Sequence, residues 1–135
     1  MLLLDTHSWL WLADGEKPFT AAVQSAIALA LRQDALFLSP ISLWEVSLKA
    51  SRGKLNLSLP LRPWMTRALD FPGLHLMPIS GEIACSCAEL PASFHGDPAD
   101  RIIAATARAE GLTLITHDRT LLRLASKGYF SVIAI

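Results

Sequence analysis

Short apolar runs alternate with longer amphipathic stretches along this chain. Residues 2–5 read as a buried strand, and 6–13 as a compact helix interrupted by Asp14, Gly15 and Pro18. Residues 20–33, rich in Ala and Leu, predict a helix, and 35–38 a second strand. Ser39 before Pro40 is a helix opening. The serine oxygen can accept from free backbone N–H groups, and proline sits where no N–H is needed. That helix runs from Pro40 toward Arg52 and stops at Gly53. Residues 59–61 form a connection, 62–70 a helix, 74–77 a strand, 80–90 a helix and 91–96 a loop. Asp97 opens the next helix, with Pro98 in its first position and an end near Gly111. Residues 113–115 read as a strand, 118–126 as a helix and 132–135 as a last strand.

Apolar strands alternating with helices require crossover connections. The expected fold class is therefore α/β, a parallel sheet covered on both faces, in one domain spanning residues 1–135. In such sheets, sites lie beyond the carboxyl ends of the strands. Asp5 ends the first strand and Asp118 follows the strand at 113–115, so both fall on the same rim.

Two further acids point toward that rim from helices. Asp100 shares a helical face with Ile103, Ala104 and Ala107, and Glu45 lies between Ile41 and Leu48 on an apolar stripe. A carboxylate facing a core is costly unless it is paired or bound to metal. Four such groups would repel one another and raise their own proton affinity. A hard divalent cation resolves this, and oxygen ligands suit Mg²⁺ or Mn²⁺, which keep waters and bind phosphate. Each acid also has a local explanation. Asp97 caps a helix, Asp100 complements the helix dipole, Glu45 is four residues before Lys49, and Asp118 can cap its own helix.

The chain has 135 residues, of which 52% are hydrophobic and 18% charged, which excludes disorder. Its formal net charge is zero, so nucleic-acid binding would need a local patch. Lys49, Arg52, Lys54, Arg62 and Arg67 supply one, with no acid until Asp70. Cys85 and Cys87, two apart on a helix, read as small buried residues in a reducing, cytoplasmic setting. The apolar start carries no basic region, and nothing approaches an uninterrupted span of about 20 apolar residues, so neither a signal peptide nor a membrane span is expected.

The order LLLDTHSWLWL, SPISLWEVSLKASRGKL, HGDPADRIIAATA, LITHD resembles the PIN-domain ribonucleases, above all the toxins of VapBC-type toxin–antitoxin systems. The resemblance covers nearly the whole chain. It implies a three-layer α/β/α fold and metal-dependent endonucleolytic cleavage of RNA. It implies that Asp5, Glu45, Asp100 and Asp118 hold one or two Mg²⁺ or Mn²⁺ ions, with Thr116 and Thr6 supporting the pocket. Such toxins commonly form homodimers and are covered by an antitoxin peptide. The first helix is apolar all round, so Trp9 and Trp11 are expected to be buried or presented to such a partner. His7, His95 and His117 lie near the acids, while His75 reads as structural. A receiver-type phosphoacceptor domain fits less well. It needs paired acids after the first strand and a lysine after the last, whereas Asp5 stands alone and the sequence given ends at Ile135. A PIN fold kept only for binding would be expected to have lost some of the four acids.

Overall fold

The structure is a computed structural model describing residues 1–15, 19–94 and 96–135. Pro18, expected to break the first helix, and His95, in the expected 91–96 loop, lie outside the described residues.

Five strands and seven helices follow in the order β1 (Leu2–Leu4), α1 (Thr6–Asp14), α2 (Ala21–Arg32), β2 (Leu36–Leu38), α3 (Pro40–Ser51), α4 (Leu61–Leu69), β3 (Leu74–Leu76), α5 (Gly81–Ala88), α6 (Pro98–Ala109), β4 (Thr113–Thr116), α7 (Arg119–Ser126) and β5 (Val132–Ala134). The strands form one parallel sheet in the order β3-β2-β1-β4-β5. The chain winds outward from β1 to β3, then returns to the other side of β1 with β4. The switch point therefore falls between β1 and β4.

The period-two alternation of β1 and β4 divides the core. Leu3, opposite Leu114, packs with Ile83 of α5, Ile103 and Ala107 of α6, and Leu121 of α7. Leu4, opposite Ile115, faces the other way, toward Trp9 of α1, Ile27 of α2, Val46 of α3 and Trp64 of α4. The result is three layers, with the sheet buried between two sets of helices.

Element ends follow local chemistry. The first strand stops at Leu4, not Asp5, because the Asp5 side chain turns to cap α1. Gly15 ends α1 in the left-handed region, and its N–H donates to the Trp11 carbonyl. Gly73 is required before β3. Its φ is 89°, and a Cβ there would lie 1.9 Å from the Leu31 carbonyl oxygen.

Trp9 takes the first of the two places expected for it, and the reading of the two cysteines as buried needs correction. Trp9 is fully buried, its indole N–H donating to the Ala68 carbonyl at 3.0 Å and its ring edge-on to Trp64. It belongs to the core and is not presented to a partner, because α1 is roofed by α4. Cys85 is exposed and Cys87 half-buried, since the inward face of α5 is taken by Ile83 and Ser86. No helix among the described residues is long and apolar enough to cross a membrane.

Candidate active site

The side chains of Asp5, Thr6, His7, Glu45, Lys49, Asp97, Asp100 and Asp118 line one cavity of about 220 Å³. It sits at the carboxyl ends of β1 and β4, at the switch point, where open α/β sheets place their ligands. All four acids singled out in the sequence meet there, together with the capping residue Asp97.

Asp5 is buried and rigidly oriented. Its Oδ1 accepts from the Ser8 backbone N–H at 2.7 Å and faces the Ser8 hydroxyl at 2.6 Å. Its Oδ2 accepts from the Thr116 hydroxyl. Thr116 Oγ1 in turn accepts from the Asp118 N–H at 3.0 Å, so one hydroxyl ties the end of β1 to the turn after β4. Asp118 caps α7, its Oδ1 accepting from the N–H groups of Thr120 (2.8 Å) and Leu121 (2.9 Å). Asp97 caps α6 by accepting from the Asp100 N–H at 2.8 Å. The local explanations for these acids are thus realised alongside their convergence on the cavity.

Glu45 reaches the cavity from α3, buried except for about a tenth of its side chain, with Lys49 Nζ 3.6 Å from its Oε2. Thr6 donates to Ser42 Oγ at 3.0 Å, locking α1 to α3. The carboxyl group of Asp100 is pushed up to about 7, first by burial and then by the negative charges of Asp97, Asp118, Glu45 and Asp5. His7 stands on the rim with part of its ring covered by neighbouring residues, and has its basicity lowered. Burial of its ring, Lys49 and His117 outweigh the opposing pull of Asp5 and Glu45. Its ring meets His117 edge-on at 5.1 Å, and His117 lies against Trp11 at 4.8 Å. His117 Nδ1 is buried without a hydrogen-bond partner among the described residues. His75 stands apart, at 3.2 Å from Asp34 on the surface.

The donor set fits a hard divalent cation in kind: carboxylate oxygens enclosed together, where burial first and mutual repulsion second raise the proton affinity of Asp100. Among the described residues, no three His, Cys, Asp or Glu side chains converge as they stand into a group that could hold a metal ion. Caps hold Asp5, Asp97 and Asp118 in their present orientations. A carboxylate that accepts one or two hydrogen bonds keeps lone pairs for a cation.

The basic stretch is divided by the fold. Arg52, Lys54 and Arg62 are exposed and form no ion pair among the described residues. Arg67 does not join them: its Nη2 donates to Asp14 Oδ1 at 2.7 Å and lies 2.7 Å from Ser58 Oγ. The sequence places no acid within that stretch, but the fold brings Asp14 to it from α1. Ser8 and Ser42 were missed in the sequence. Ser8 carried a signal, being three residues after Asp5 at capping spacing; Ser42 carried none, because its partner is 36 residues away.

A family model described as PIN domain matches residues 2–127. The chain is 33% identical over 120 residues to Ribonuclease VapC22 of Mycobacterium tuberculosis (strain ATCC 25618 / H37Rv), covering 89% of this chain and 88% of the relative. Among solved structures, DNA-bound VapBC from Salmonella typhimurium matches with a TM-score of 0.73 at 20% identity, covering 99% of this chain and 98% of the other. FitAcB from Neisseria gonorrhoeae matches with a TM-score of 0.66 at 25% identity, covering 98% and 96%. The five-stranded parallel sheet, the acids at its switch point and these likenesses agree: this chain belongs to the PIN-domain family and is a homologue of a VapC ribonuclease.

Proposed function

We propose that this protein is a metal-dependent endoribonuclease, the toxin of a VapBC-type toxin–antitoxin pair. The observation that carries the reading is the gathering of Asp5, Glu45, Asp97, Asp100 and Asp118 in one cavity at the carboxyl edge of β1 and β4. Asp5, Glu45, Asp100 and Asp118 would hold one or two Mg²⁺ or Mn²⁺ ions. When bound, such an ion makes water more acidic and offsets negative charge at the attacked phosphate.

The chain's own residues have separate tasks. Ser8 and Thr116 hold the Asp5 carboxylate in a single orientation, and Thr6 fixes the neighbouring wall through Ser42. One of the carboxylates accepts the proton of the attacking water, so no histidine is required. Lys49, Arg52, Lys54 and Arg62 offer cations to the RNA backbone. Trp11, half-buried on α1 beside His117, would contribute to the surface that meets an antitoxin peptide. A second copy of the chain completes a homodimer, and the protein works in the cytoplasm, where its RNA and antitoxin are made. Support for the partners comes from the relatives: one is a protein named Ribonuclease VapC22, and the matched Salmonella structure is that of DNA-bound VapBC.

The test is incubation of purified protein with mixed cellular RNA, with Mg²⁺, with Mn²⁺ or with chelator. Cleavage with either ion and none with chelator is expected. Intact RNA under every condition would leave a binding module in place of an enzyme.

A further inference from the structure

Lys49 differs in placement from the other cations of its stretch. Arg52, Lys54 and Arg62 are exposed, whereas Lys49 lines the acid cavity with a third of its side chain exposed and its Nζ 3.6 Å from Glu45 Oε2. An i,i+4 Glu–Lys pair ordinarily lies on a solvated helix face and contributes little. This pair is turned inward, because Glu45 is buried beside Val46 on the core side of α3. Among the described residues lining the cavity, Lys49 is the one ammonium or guanidinium group, and it shares the space with five carboxylates.

We propose that Lys49 is the built-in second cation of this site: it takes the charge position a second divalent ion would fill, so the cavity admits one divalent ion, and its ammonium meets a non-bridging oxygen of the phosphate being cut. The inference rests on the ribonuclease reading above and specifies its metal count and one further catalytic residue. Two positive charges a few ångströms apart in a half-buried cavity repel strongly, so a resident ammonium disfavours a second ion beside it. A lysine suits this place. Its compact ammonium, paired with Glu45 at 3.6 Å, carries three donors that can meet a phosphate oxygen, and its flexible stem lets it follow the substrate.

The experiment is calorimetric titration of the full chain with Mn²⁺, comparing the parent with Lys49→Met and Lys49→Arg, each first checked by thermal melting in chelator. One ion is expected in the parent and in Lys49→Arg, and two in Lys49→Met. With an RNA substrate at limiting Mn²⁺, Lys49→Met should lose on the order of 10²-fold in kcat with little change in KM. Raising Mn²⁺ should restore part of that loss, and Lys49→Arg should keep most activity. Two ions in the parent, or the same single-ion isotherm and kcat in Lys49→Met, would overturn the proposal while leaving the ribonuclease reading intact. No Mn²⁺ uptake by the parent would overturn both. If Lys49→Met melts far below the parent, Lys49→Gln replaces it, and the same isotherms decide.

Discussion

The hydroxyl of Thr116 donates to Asp5 Oδ2 across 111 residues of sequence, in the buried floor of the acid cavity. The same oxygen accepts the N–H of Asp118. One small side chain thus sets the positions of two acids that follow different strands.

Replacing Thr116 by Val keeps the shape and removes both interactions. Leaving the Asp5 oxygen and the Asp118 N–H without this partner should cost about 1–3 kcal/mol. RNA cleavage should fall as well, because Asp5 loses its orientation. Thr116→Ser should restore both. Urea unfolding and a cleavage assay on the three proteins check this; a Thr116→Val protein as stable and active as the parent would show that the link contributes nothing.

Asp97 and Asp100 should separate cleanly. Asp97 is exposed and its side chain caps α6, a task Asn performs nearly as well, so Asp97→Asn should keep its stability and substantial activity. Asp100→Asn should lose most cleavage and the metal-induced rise in melting temperature. The pH dependence follows from its raised pKa. The folded value is about 7 against 3.8 for the free group, so between these values the native state holds a proton that the unfolded state has released. In chelator, Asp100 therefore contributes a loss of stability as pH rises from about 4 to 7. Asp100→Asn should remove that component and melt higher than the parent at neutral pH. Melts across pH, with chelator and with Mn²⁺, decide; an active Asp100→Asn protein would mean the cap and the ligand had been exchanged.

The two tryptophans of α1 should also part company. Trp9→Ala opens a hole in the core and removes the bond to Ala68, a loss of roughly 3–5 kcal/mol. Trp11→Ala should fold with a much smaller penalty and bind the cognate antitoxin more weakly. Denaturant unfolding measures the first effect and titration with antitoxin the second. Equal antitoxin affinity in parent and Trp11→Ala would remove Trp11 from the footprint.

Charge reversals should sort the cations. Arg52→Glu with Arg62→Glu should weaken RNA binding and flatten its dependence on salt, while leaving stability nearly unchanged. Arg67→Glu should act mainly on stability, because it places a second negative charge beside the nearly buried Asp14 carboxylate. RNA binding over a salt series, beside melting curves, gives the answer. A large salt-slope change in Arg67→Glu without loss of stability would return that residue to the RNA surface.

Elements whose causes are local could be read from the chain. Ser39-Pro40 and Asp97-Pro98 marked helix starts because capping is a contact between near neighbours, and both serve as expected. The β–α alternation implied the parallel sheet, and the rim position of Asp5 and Asp118 followed from strand ends alone. Helical spacing also aimed Asp100 and Glu45 toward the core side. What periodicity could not supply was anything that depends on which element lies opposite. It could not say that α4 roofs Trp9, that Asp14 reaches Arg67, that Ser42 meets Thr6, or that Lys49 turns into the cavity while Arg52 stays outside. Spacing fixes a side chain's direction on its own helix. Its partner, and hence whether a tryptophan is core or surface and a cation free or paired, is decided only when distant segments pack.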